Sequence, residues 1–222
     1  PTDSAPSRRE FLKASTAAAV GGALVSELAF PAVVSAAPNS NRLKIGFIGC
    51  GGRGSGAAAQ ALSADSNVVL HAMADVYAGS LENSLKSLQN SVKDATKFDV
   101  APERRFVGLD AYQQVLKSGV DVVILTTPPG FRPLHFKAAI DANKHVFLEK
   151  PMGTDAPGCK QIMATAEEAR KKGLSVVDGF CWRYDSARRE FYRRIHDGQI
   201  GELRAIYATY LTGPVKGMPA KE

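Results

Sequence analysis

From Leu43 onward, short apolar runs alternate with longer amphipathic ones. Leu43–Ile48 is brief and rich in β-branched and aromatic residues, as a buried parallel strand requires. The Ala-rich segment Ser55–Leu62 reads as a helix, and Val68–Ala74 as a second strand. After Asp75, Leu81, Leu85 and Leu88 recur at helical spacing and define one apolar stripe. Asn90–Pro102 is polar and predicts a loop, Phe106-Val107 a short strand, and Ala111–Ser118 a helix closed by Gly119. Val120–Leu125 is a β-branched run that stops at Thr126-Thr127-Pro128-Pro129-Gly130, a sequence unable to continue a ladder. Pro133–Ala142 predicts a helix with proline near its start, His145–Leu148 a strand, Pro157–Lys172 a helix and Leu174–Val177 a strand. Asp185–Asp197 reads as a helix with Phe191 and Ile195 on one face, and Leu203–Leu211 as a last apolar strand. This alternation predicts an α/β fold with a doubly wound parallel sheet.

Ligands on such sheets bind beyond the carboxyl ends of the strands. The candidate segments are therefore Gly49–Gly54, Asp75, Thr126–Pro129, Glu149-Lys150-Pro151 and Gly179–Tyr184. Gly49, Gly51 and Gly54 follow the first strand at G-x-G-x-x-G spacing. The first glycine permits a tight turn, the second lets a pyrophosphate approach the backbone, and the third lets the helix pack close to the strand. Gly52 and Arg53 complete the loop. Free N–H groups at the helix start would carry the phosphates. Asp75 ends the second apolar run about 20 residues on, where the Rossmann-type dinucleotide fingerprint places an acidic group for ribose hydroxyls. The alternative is an ordinary βαβ turn with Asp75 capping the next helix. As a ribose ligand, Asp75 favours NAD over NADP, because a carboxylate repels a 2′-phosphate and no arginine follows in Val76-Tyr77-Ala78.

Composition changes this picture little. The chain has 222 residues, 45% of them apolar, enough for a sizeable core, and a formal charge of +6. The basic excess sits in runs such as Arg170-Lys171-Lys172 and Arg188, Arg189, Arg193 and Arg194, which read as solvated helix faces. No nucleic-acid motif accompanies them, so no nucleic-acid partner is expected. Cys50, Cys159 and Cys181 make neither a disulfide framework nor a metal motif and read as small, mostly buried residues. Ser7-Arg8-Arg9-Glu10-Phe11-Leu12-Lys13 resembles a twin-arginine export signal, and the stretch Ala14–Phe30 behind it is too weakly apolar for a membrane span. Ser35-Ala36-Ala37 offers small residues for cleavage, so residues 1–37 are expected to be a signal peptide and the protein periplasmic.

Lys150, directly after a strand, is placed to donate to a substrate hydroxyl or carbonyl; the alternative is a surface turn. Here the motifs combine into a resemblance. Ile48-Gly49-Cys50-Gly51-Gly52-Arg53-Gly54, Thr127-Pro128-Pro129 with His135 beyond, Asn143-Lys144-His145-Val146 leading into Glu149-Lys150-Pro151, and Gly179-Phe180-Cys181-Trp182-Arg183-Tyr184 together resemble the glucose–fructose oxidoreductase/inositol dehydrogenase/MocA family. The resemblance runs from about residue 42 to 212. It implies a nicotinamide-dependent oxidoreductase acting on sugars or polyols. Lys150 would take the lysine role near the nicotinamide ribose and the reacting oxygen, with Glu149 helping to hold the cofactor. Trp182 and Arg183 would lie close to the nicotinamide, or else be packing and a surface charge. His135 either touches the cofactor loop or caps its helix.

One departure stands out. The family's Asp-x-x-x-His, whose histidine is the acid/base, has no match after Gly179. Asp141–His145 has the spacing but would sit at the wrong end of a strand. The chain is accordingly read as a signal over 1–37, a dinucleotide-binding domain over 42–178, and the start of an α+β substrate domain over 179–222, with the acid/base and the oligomer contacts in the rest of that domain. Two other readings remain: a redox-assisted glycoside hydrolase of the same fold, and a non-catalytic nucleotide-binding module. Changing Arg8 and Arg9 together to Lys is expected to strand the precursor in the cytoplasm; normal export, followed by cell fractionation, would contradict the signal.

Overall fold

A computed structural model describes residues 42–213. The signal expected over residues 1–37 lies outside the described residues. Six parallel strands form one sheet: β1 (Leu43–Ile48), β2 (Val68–Asp75), β3 (Arg105–Val107), β4 (Val122–Leu125), β5 (His145–Leu148) and β6 (Val176–Asp178). Their spatial order is β3-β2-β1-β4-β5-β6, which is the doubly wound order. The helices are α1 (Gly52–Ala64), α2 (Ala78–Ser91), α3 (Ala111–Lys117), α4 (Arg132–Asp141), α5 (Ala156–Lys171) and α6 (Ser186–His196).

Side-chain alternation along the strands divides the interior into two cores. Ile45 and Phe47 of β1, with Leu70 and Met73 of β2 and Ile124 of β4, pack under α1 and α2 through Ala57, Ala58, Leu62, Leu81, Leu85 and Leu88. On the opposite face, Ile48, Ala72, Ala74, Val123, Leu125, Val146 and Leu148 pack against α3, α4 and α5 through Val115, Phe136, Ile140 and Ile162. Phe136 is wholly buried, a gain of about 1.5–3 kcal/mol for such a side chain. Both strand faces are covered, so β1, β2 and β4 are mainly apolar rather than alternating with polar residues, with Lys44, His71 and Asp75 as the exceptions.

β2 is eight residues long and carries a bulge. Ile45 pairs with Leu70 and Gly46 with Ala72, which leaves His71 as the extra residue. The His71 ring is held at both nitrogens, by the Asp99 carboxylate at 2.7 Å and the Ser118 carbonyl at 3.0 Å. Arg104 donates to the His71 carbonyl and to Asp99. The Asn90–Pro102 region is thereby more ordered than a plain loop. It contains a short 3-10 turn, Ala95–Lys97, and a parallel bridge from Phe98 to Leu70.

Two expectations need correction. Leu203–Leu211 forms no strand: it makes no ladder hydrogen bond among the described residues, and Ile206, Tyr207, Tyr210 and Leu211 are exposed. Apolar content alone does not make a strand without a neighbour to bond. Of the cysteines only Cys50 is buried; Cys159 on α5 and Cys181 after β6 are exposed. The basic runs do lie on solvated helix faces, with Arg170 paired to Glu167 and Arg194 to Glu190. Among the described residues no helix is long and apolar enough to cross a membrane.

Candidate functional site

The turns after β1, β2, β4 and β5 surround a cleft of about 830 Å³. β1 leads into Gly49, whose φ of +96° disfavours any other residue. A Cβ there would also stand 2.6 Å from the Thr127 backbone nitrogen. Gly54 is confined differently: its Cβ would meet the Gly49 carbonyl oxygen at 2.2 Å and the Phe47 ring at 2.7 Å. Close packing of α1 on β1 therefore requires glycine at this point. Nothing stands within 4 Å of a Cβ built on Gly51 or Gly52, so the backbone is open there. No side chain caps α1 and its first turn holds no acidic residue, which leaves a backbone suited to an anionic diphosphate.

Asp75 closes β2 and faces this loop. One carboxylate oxygen accepts the Cys50 N–H at 2.7 Å and the other the Tyr77 N–H at 2.9 Å. It does not cap α2, whose N-cap is Tyr77. Each oxygen keeps acceptor capacity for a ribose hydroxyl, and Asp75 and Tyr77 both line the cleft. Burial and the Asp75 charge push the Cys50 thiol pKa well up, so Cys50 is an inert neighbour.

Beyond β4, the Thr126 hydroxyl donates to the carbonyls of Gly49 at 2.7 Å and Ile48 at 3.0 Å, binding this turn to the glycine loop. Thr127 and Pro128 line the cleft. The Thr127 hydroxyl lies 3.2 Å from His135 Nδ1, and the His135 ring packs on Tyr112 with centroids 4.3 Å apart. His135 therefore touches the cleft turn and does not cap α4. Burial, then the Arg132 charge, push its pKa from the usual 6.5 down to about 4, so it is neutral.

Glu149 and Lys150 follow β5. The Glu149 carboxylate is buried and receives Arg53 Nε at 2.7 Å and a terminal Arg53 nitrogen at 2.6 Å. Gly179 presses on its other side; a Cβ there would fall 2.8 Å from the carboxyl carbon. Lys150 is exposed at the cleft and has no hydrogen-bond partner among the described residues. Trp182 and Arg183 are not among the cleft-lining residues. Trp182 lies under the Arg188 guanidinium, 4.2 Å from its ring centroid, and beside Tyr210.

Sequence reasoning missed Arg132. This first residue of α4 is 1% exposed, and it donates to the carbonyls of Thr127 and Pro151. Its spacing three residues before His135 placed both on one helical face, the only available signal. Nothing in the local pattern distinguishes it from a surface arginine. No group of His, Cys, Asp or Glu among the described residues could hold a metal ion.

Residues 43–177 match the family model described as the oxidoreductase family, NAD-binding Rossmann fold. The chain belongs to that family. It is 25% identical to scyllo-inositol dehydrogenase from Lactobacillus casei, solved with NAD(H) and scyllo-inositol, with a TM-score of 0.55 over 72% of this chain and 42% of that one. A 3-ketoreductase from Actinomadura kijaniata, solved with NADP and TDP-benzene, matches with 25% identity and a TM-score of 0.56 over 74% of this chain and 45% of that one. A glycosyl hydrolase family 109 protein of Shewanella baltica is 26% identical over 92% of this chain and 46% of its own length. The chain spans just under half the length of the curated relatives it matches.

Neutral, buried His135 gives the site a pH dependence. Its folded pKa lies below the unfolded value, so its contribution to stability is complete above about pH 6.5 and is lost as pH falls through about 4. The loss is on the order of 3 kcal/mol. Urea unfolding of His135→Gln is expected to show a flatter stability curve between those pH values than the parent; identical curves would place the acid sensitivity elsewhere.

Proposed function

We propose that this chain is the dinucleotide-binding portion of an exported, NAD-dependent oxidoreductase of sugars or polyols. The observation that carries the reading is one cleft holding an acidic side chain at the end of β2, an open glycine backbone at the end of β1 and, at the end of β5, a lysine without a partner among the described residues. The residues fit a dinucleotide. Asp75 would take the adenosine ribose, Gly51 and Gly52 the diphosphate, and the turn Thr127–Pro128 with Glu149 and Lys150 the nicotinamide half. The bound nicotinamide would supply hydride transfer with the substrate carbinol.

The protein groups have separate tasks. Arg53 neutralises Glu149 and so fixes the backbone from which Lys150 projects. An ammonium at Lys150 can donate to the reacting oxygen and favour negative charge there. That donor role leaves the proton shuttle to another group. The histidines do not fill the gap: His135 lines the cleft but is buried, neutral and engaged with Thr127 and Tyr112, and the other three are held elsewhere. His71 is held in the β2 bulge, His145 lies at the start of β5 and accepts the Ser175 N–H, and His196 ends α6. We place the acid/base and most of the substrate wall outside the described residues, in the remainder of a second domain that begins near Gly179. Oligomer contacts would lie there too, and twin-arginine export would deliver the folded protein to the periplasm. Similarity over 92% of the chain to a glycosyl hydrolase family 109 protein favours a second reading, in which oxidation, elimination and reduction give net glycoside cleavage.

With the intact protein, a panel of polyols and sugars should yield NADH, and Lys150→Met should lower kcat by about 10²-fold or more. Released aglycone without net NADH would select the second reading, and neither product would sink both. Calorimetry should show NAD bound more tightly than NADP, and Asp75→Ala should narrow the difference. Tighter NADP binding by the parent would remove the role given to Asp75.

A further inference from the structure

Arg132 lacks the usual company of a buried guanidinium. It is 1% exposed, yet both of its hydrogen-bond partners are neutral backbone carbonyls, Thr127 and Pro151. Its Nε is buried without a hydrogen-bond partner among the described residues. No carboxylate among the described residues lies within ion-pair distance, and Glu149, whose negative charge acts on it, is already engaged by Arg53. Burying a charge so incompletely compensated is costly. If the need were only to tie two turns together, a neutral amide could donate to the same carbonyls.

The position of this charge suggests a use. In a doubly wound sheet the two nucleotide halves lie on either side of the switch point, and here Asp75 marks the adenosine side. Arg132, His135, Glu149 and Lys150 all come from the other half. His135 is neutral, and Glu149 is matched by Arg53. Arg132 and Lys150 therefore leave that half positive. Lys150 is exposed and screened by water, whereas Arg132 is not. An oxidised nicotinamide ring is a cation and a reduced one is uncharged.

Resting on the dinucleotide reading above, we propose that Arg132 makes the cleft select the reduced cofactor, its buried charge opposing NAD⁺ and sparing NADH. Arg132 acts through the field at the nicotinamide half rather than by contact. Selectivity of about tenfold is the scale expected of one unit charge acting over about 12 Å at an effective dielectric constant of about 20. By linkage, a tenfold affinity ratio raises the midpoint potential of the bound couple by about 30 mV.

The test measures dissociation constants of NADH, NAD⁺ and ADP-ribose, which has no nicotinamide, on the intact protein and on Arg132→Gln and Arg132→Lys. The parent should bind NADH about tenfold more tightly than NAD⁺. Arg132→Gln, which keeps donors and loses charge, should bring the two together by improving NAD⁺ binding, with ADP-ribose unchanged. Arg132→Lys should keep the parent ratio. Equal affinities in the parent, or an unchanged ratio in Arg132→Gln with ADP-ribose binding intact, would overturn the proposal. If Arg132→Gln does not fold, the parent ratio decides alone. Failure of the parent to bind ADP-ribose would overturn the cofactor reading itself, and this inference with it.

Discussion

A carboxylate inside a protein costs several kcal/mol unless it is paired, and breaking such a pair leaves the charge stranded. Glu149 is in that position. Arg53 comes to it from the first turn of α1, and Gly179 closes on it from the end of β6. One ion pair thus joins the glycine loop, the end of β5 and the end of β6. The backbone on both sides of Lys150 depends on it. The exposed half of the pair is Arg53, which also lines the cleft, so a ligand there competes with or reinforces the contact that holds the floor in place.

The cleft is polarised along the sheet. At the β2 side, Asp75 spends part of its acceptor capacity on the Cys50 and Tyr77 amides and so fixes the glycine loop even without a ligand. At the β4–β5 side, Arg132 is buried among carbonyls and His135 is kept neutral beside it. The two effects share a cause. Burial disfavours charge on the imidazole, the neighbouring guanidinium disfavours it further, and the result is a buried Arg132–His135 pair in which only the arginine is charged. Preorganisation of this kind needs rigid support, and the supports are the Thr126 hydroxyl bridging two turns and the Tyr112 ring against His135.

Past β6 the character changes. α6 has no buried residue, and Trp182, Tyr184, Phe191 and Tyr192 are exposed with the 203–211 stretch. The Asp185 cap and the Arg–Glu pairs keep α6 helical locally, worth only tenths of a kcal/mol per pair.

Much of the fold was legible before any coordinates. β1, β2 and β4 are mainly apolar because both of their faces are covered, with Lys44 and His71 as interruptions, while β3 and β5 each open on a polar residue. The helices carry stripes at helical spacing, and glycine and proline mark most of the ends. Gly49, Gly54 and Asp75 could be placed because their demands are local: a turn with positive φ, a close approach one helical turn later, a strand end a fixed distance on. Tertiary structure alone decided the rest. Arg132 resembles any surface arginine until packing against the Thr127 and Pro151 carbonyls buries it. Arg53 and Glu149 are 96 residues apart and meet only because the sheet order brings their strand ends together. Leu203–Leu211 has the composition of a strand, but a strand is defined by hydrogen bonds to another segment, which its own sequence cannot supply.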